Sequence, residues 1–203
     1  ITQDSYAYSL AVDRAALVNG AWGFQMTDTV ASGSSYPIWA LFQGLETDHA
    51  HFAGVSLTGG EGFYSSGGWH GSTLSGHGMR ILSTFRGEGT ISGSRIFGNT
   101  NHGILMQAPG FSVVNNQIGD NSVATANTYD GISIAANLSD FVITGNQIGN
   151  LIGVSGNNQR YGVNVAAGTS DYYIISSNWC RGNTTGTVTD GGTGVNKSVT
   201  GNV

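Results

Sequence analysis

The phrase VVNNQIGDN at Val113–Asn121 returns as ITGNQIGNL at Ile143–Leu151, as ISSNWCRGN at Ile175–Asn183 and, shortened, as VTGNV at Val199–Val203. Aligning the shared asparagine places Asn116, Asn146, Asn178 and Asn202 in one column, 30, 32 and 24 residues apart. A weaker copy, ISGSRIFGN at Ile91–Asn99, puts Ser94 in that column. Ahead of each copy stands a glycine followed by alternating apolar residues: GMRIL at Gly78, GILMQ at Gly103, GISIA at Gly131, GVNVA at Gly162 and the more polar GTVTD at Gly186. Self-similarity at this period marks a stacked repeat architecture. Two short period-2 strands per unit, with no helical stretch between them, leave no room for βαβ crossovers.

What remains is an all-β chain in which each turn lays its strands on those of the turn before, a parallel β-helix or β-solenoid. The repeated Asn has a physical use in such a coil. A bend between strands favours residues that tolerate φ > 0, and stacked amides can hydrogen-bond at the strand spacing of about 4.8 Å. Alternation assigns the faces. Met79 and Ile81, Ile104 and Met106, Ile132 and Ile134, Val163 and Val165 point inward, while Arg80, Leu105, Ser133 and Asn164 point outward. The chain reads as one domain over residues 1–203, with regular rungs over 78–203 and less regular rungs over 1–77. In the latter, WGFQM, IWALFQG, HFAGVSLTG and GFYSS are the expected strands. RAALVN, at Arg14–Asn19, is expected to form a helical turn that caps the coil and shields open strand edges.

Composition agrees with this reading. Thirty-three glycines work against long helices, and 39% hydrophobic with only 9% charged residues is the reverse of the disordered signature. Two prolines rule out collagen. With net charge −5 and scattered arginines, no patch suits nucleic acid. No apolar run is long enough to insert in a membrane. Cys180 is the single cysteine, so it forms no intrachain disulfide or thiolate cluster, and it is read as a buried small hydrophobe. The chain opens on Ile1 without an initiator Met or a signal-peptide pattern, as expected of a processed product or excised fragment. No phosphate-loop, dinucleotide, zinc-protease or serine-elbow motif is present, and neither a metal nor a cofactor is expected.

Candidate chemistry gathers in one column, the residue before each strand glycine: His77, His102, Asp130 and Tyr161. Neighbouring rungs would put His102 and Asp130 roughly 5 Å apart at the backbone, near enough for the carboxylate to orient the imidazole and raise its pKa. A turn in which polar residues stack in solvent is the plainer reading. GGEGFYSSGGWHGSTLSGHG, at Gly59–Gly78, resembles the start of a calcium repeat but has Tyr64 at the Asp position; Tyr64, Trp69 and His70 there could offer flat surfaces to a sugar. A loop packing Trp69 over a solenoid edge is the alternative. Glu46, Asp48, His49 and His51 read as an irregular surface loop. Glycoside hydrolysis needs two carboxylates about 5 to 9.5 Å apart. Asp130, His102 and Glu88 are the candidates if the chain is an enzyme.

The xITGNQIGN phrases, the alternating Gly-strands and the ending SDYYIISSNWCRGNTTGTVTDGGTGVNKSVTGNV resemble the right-handed β-helices of the pectate-lyase-like superfamily, and within it bacteriophage tailspike and tail-fibre proteins. That resemblance implies a homotrimer in the virion, in contact with other tail proteins, that binds or cleaves a bacterial surface polysaccharide. The leading expectation is a receptor-binding module, with ligand contacts from His77, His102, Asp130, Tyr161, Tyr64 and Trp69. A depolymerase, hydrolase or lyase, and a structural spacer are the alternatives.

Overall fold

A computed structural model of the chain describes residues 9–27, 39–151 and 158–203. Ile38, the first residue of the IWALFQG segment, lies outside them. The described residues form eighteen strands and no helix, wound into a parallel β-solenoid of about seven turns. The strands follow the chain turn by turn. The first three turns carry β1 (Ser9–Val18) and β2 (Trp22–Met26), β3 (Trp39–Asp48) and β4 (Ala53–Leu57), then β5 (Gly62–Gly71) and β6 (His77–Ile81). The next three carry three strands each: β7 (Glu88–Ser92), β8 (Arg95–Phe97) and β9 (Ile104–Met106); β10 (Phe111–Val114), β11 (Gln117–Gly119) and β12 (Ile132–Ile134); β13 (Ser139–Thr144), β14 (Gln147–Gly149) and β15 (Tyr161–Gly168). β16 (Asp171–Ser176), β17 (Gly186–Gly192) and β18 (Lys197–Thr200) complete the coil.

Every strand pairs parallel with its counterparts on adjacent turns, giving three faces. The first face stacks the leading halves of β1, β3 and β5 on β7, β10, β13, β16 and β18. The second continues from the trailing halves of those long strands onto β8, β11 and β14. The third runs β2, β4, β6, β9, β12, β15, β17. The N-terminal strands thus share the same ladder as the repeats.

Inside, the alternation places side chains as expected: Met79, Ile81, Ile104, Met106, Ile132, Ile134, Val163 and Val165 are all buried. Asn116, Asn146, Asn178 and Asn202 form a continuous amide ladder, each donating from Nδ2 to Oδ1 of the next at 2.8–3.0 Å. The positive φ falls one residue earlier than the ladder, at Asn115, Gly145, Ser177 and Gly201, so the bend and the amide bonds are separate tasks on consecutive residues. A second ladder links Asn99, Asn121, Gln159 and Asn183. Its room comes from the strand glycines, since a Cβ on Gly78 or Gly103 would lie 2.6 or 2.8 Å from the facing amide nitrogen.

The expected helical cap at Arg14–Asn19 is not formed. Arg14–Val18 belong to β1, paired with β3 in register on both sides of a kink at Arg14 (φ 57) that stacks on Gly44 (φ 71). The run of helix formers yields to the ladder because β3 supplies partners for its backbone and a core for Ala15 and Leu17.

Candidate functional site

The third face does bring His77, His102 and Asp130 together, and burial sets their chemistry. His77 and His102 stack almost parallel, 5.4 Å between ring centroids and 7° between planes. Asp130 is fully buried, which excludes a solvated turn. Its carboxylate is held by both Nε and Nη2 of Arg160 at 2.9 Å, by Asn164 Nδ2 at 3.0 Å and by the Tyr161 backbone N–H at 3.3 Å. His102 instead receives the Asp130 backbone N–H at Nδ1 (2.8 Å), which leaves the proton of the neutral ring on Nε2. The carboxylate stays 3.7 Å away.

The expected rise in the His102 pKa is therefore overturned. Burial outweighs Asp130, whose charge Arg160 already answers, and the pKa is lowered. His77 is pushed down to about 3 by burial, by His102 and by Arg80, and its Nδ1 is buried without a partner. Tyr161 lies under the Arg160 guanidinium at 5.2 Å. An aspartate spent on an arginine and two imidazoles held neutral make a packed polar spine, poorly suited to moving protons.

Within the Gly59–Gly78 stretch, Gly62–Gly71 form the strand β5 and not a loop, and this separates its aromatics. β5 turns a corner at Gly67 (φ 68) and Gly68 (φ 109), putting Tyr64 on the first face and Trp69 on the second. Trp69 packs edge-on to Phe97 at 4.7 Å. His70 points into the core, bonded to Thr47 Oγ1 at 2.9 Å, and its pKa falls to about 4 by burial. It offers nothing to a sugar. In the Glu46–His51 group, His49 Nδ1 lies 3.0 Å from Asp48 on the surface.

Tyr64 instead joins Glu88. Its hydroxyl donates to Glu88 Oε1 at 2.9 Å, and its ring lies parallel to that of Trp39, 5.7 Å away with 3° between planes. Register explains the meeting: Trp39, Gly62 and Glu88 occupy one outward column, and Leu41, Tyr64 and Thr90 the next. Gly62 leaves the gap that the Trp39 ring fills, since a Cβ there would sit 2.2 Å from Trp39 Cε3. The stacked pair stands between two clefts. One, of about 790 Å³, is lined by Asp13, Leu41, Gln43, Tyr64, Ser66, Thr90 and Ser92 among others. The other, of about 540 Å³, is lined by Trp39, Glu61, Arg86, Gly87 and Glu88. Trp39 was missed in the sequence because the Asn column that sets register is occupied by Ala15, Leu45 and Gly68 on the first three turns.

No three His, Cys, Asp or Glu side chains converge as metal ligands among the described residues. The sulfurs of Met79, Met106 and Cys180 belong to buried core side chains.

Residues 11–155 match the family model described as NosD, periplasmic copper-binding protein. The chain belongs to the NosD family. No curated protein sequence matches it significantly. Among solved structures it is similar to the A-module of the Azotobacter vinelandii mannuronan C-5 epimerase AlgE6, with TM-score 0.69 and 17% identity over 96% of this chain and 57% of that one. The AlgE4 A-module of the same organism gives TM-score 0.63 and 16% identity over 95% and 58%. This NosD-family chain thus spans less than three fifths of either module and shares their right-handed parallel β-helix fold.

Proposed function

We propose that the chain is a polysaccharide-binding β-helix that holds a bacterial surface glycan along the first face of its N-terminal turns. The observation that carries this reading is the parallel, stacked Trp39–Tyr64 pair between two open clefts, with the Glu88 carboxylate bonded to the tyrosine hydroxyl. Aromatic planes take the apolar faces of sugars, while the Gln43, Ser66, Thr90 and Ser92 side chains suit their hydroxyls. The solved neighbours act, by name, on mannuronan, itself a polysaccharide. Affinity electrophoresis in gels containing capsule or lipopolysaccharide tests the proposal. Trp39→Ala and Tyr64→Ala are expected to weaken retardation about tenfold each, roughly 1.4 kcal/mol, with Trp69→Ala unchanged. The opposite pattern moves the site to the second face.

Binding is favoured over cleavage because Glu88 is exposed and its carboxylate is already engaged by the Tyr64 hydroxyl. Hydrolysis is the second reading, since Glu61 and Glu88 line one cleft from adjacent turns. New reducing ends that disappear in Glu61→Gln would establish it. The phage-tail setting and the homotrimer belong to this proposal and rest on the resemblance of the repeat phrases and C-terminal ending. A monomer in sedimentation equilibrium would remove the homotrimer.

Copper does not fit the donors present. His102 commits Nδ1 to Asp130, the Asp130 oxygens are committed to Arg160 and Asn164, and the sulfur-bearing side chains are enclosed in the core. Copper sites draw on converging imidazole and sulfur ligands. Among the described residues no three His, Cys, Asp or Glu side chains converge.

A further inference from the structure

We infer that the glycan held at the Trp39–Tyr64 site is an uncharged hexose chain and not a polyuronate; this rests on the binding reading above. The charges around the two clefts decide it. Asp13 lines one cleft, and Glu61 and Glu88 line the other. Arg86 is the one basic residue among the described lining residues, and it is already engaged within the chain. The rest of the polar lining, Gln43, Ser66, Thr90 and Ser92, is neutral.

The aromatic pair acts in the same direction. Tyr64 gives its only hydroxyl proton to Glu88, so its oxygen offers a passing sugar an acceptor and no donor. Ring faces carry negative potential and attract C–H groups, whereas a carboxylate lying over them is repelled. A uronate chain would bring one negative charge per sugar past the three carboxylates that line the clefts, and charges act over roughly 8 Å at physiological ionic strength. A hexose chain presents hydroxymethyl groups in the same places and meets no such repulsion. The epimerases that share the fold act, by name, on a uronate polymer, so the inferred ligand differs from theirs by chemical class.

The test uses matched polymers that share a backbone and differ in oxidation at C6: mannan against polymannuronate, and cello-oligosaccharides against their C6-oxidised forms. Binding of the full chain is measured by calorimetry at 50 and 500 mM salt. The neutral member of a pair is expected to bind at least about tenfold tighter at low salt, with the gap closing to about threefold at high salt. Trp39→Ala should weaken the neutral ligand about tenfold, and Glu61→Gln/Glu88→Gln should strengthen the oxidised one about fivefold or more. Tighter binding of an oxidised member, still weakened in Trp39→Ala, overturns the inference and leaves the site standing. If no polymer binds, or Trp39→Ala binds as well as the parent chain, the site itself falls and takes the inference with it.

Discussion

Asn146 shows what one residue does in this coil. Its Oδ1 accepts the backbone N–H of Asn116 at 2.9 Å and Asn116 Nδ2 at 3.0 Å, while its own Nδ2 reaches Val113 O and Asn178 Oδ1, both at 2.9 Å. All of this is buried, so Asn146→Ala strands several polar groups at once. A loss of about 3 kcal/mol is expected, seen as a fall in Tm of roughly 6 to 12 °C. Asp120 is the opposite case. It is 4% exposed, both carboxylate oxygens lack a partner, and burial raises its pKa from 3.8 to about 6 despite Arg95. The folded state then keeps a proton that the unfolded chain releases, so stability falls as pH rises from about 4 to about 6, and the penalty is complete above that. Asp120→Asn should raise Tm at pH 7.5 and leave it unchanged at pH 3.5; equal shifts at both would exclude burial of the charge as the cause. The Asn column was legible because it repeats. Asp120 was not, since its sequence neighbours do not announce that its carboxylate is enclosed.

At the scale of strands, the glycine opening each third-face unit is set by the element across the core. A Cβ on Gly103 would stand 2.6 Å from Gly131 O and 2.8 Å from Asn121 Nδ2, and the backbone of the next turn cannot yield. Gly103→Ala is expected to destabilise by about 2 kcal/mol, lowering Tm roughly 4 to 8 °C. Gly186→Ala is its control, because the nearest atom lies 3.5 Å away and no positive φ is required; its Tm should match the parent. β1 and β5 carry the complementary lesson. Local composition suggested a helical turn at RAALVN and allowed a loop at GGEGFYSSGGWHG, yet both are long strands that bend at Arg14 and at Gly67–Gly68. Ladder partners from other turns override local preference, and those partners lie 23 or more residues away.

For the whole molecule, the larger cleft crosses β1, β3, β5 and β7, three strand spacings or roughly 14 Å along the coil axis. Affinity for a glycan is therefore expected to climb with oligosaccharide length until the chain spans this distance and then level off, measured by calorimetry over a ladder of defined lengths. An affinity independent of length would place the contact at a single sugar. The three-faced winding also explains why candidates near in sequence part company: Tyr64 and Trp69 belong to one strand but face different directions across its corner.

The amino-acid sequence by itself determined the solenoid, the inward and outward columns and the asparagine ladder, because each depends on a residue type recurring at fixed period, and stacking turns repeats the same environment. Tertiary structure alone decided the chemistry. It gave Asp130 to Arg160, held His77 and His102 neutral, and set Trp39 on Tyr64 over Gly62. Those meetings depend on the register between turns and on burial, which are sums over distant residues and leave no periodic mark in the chain.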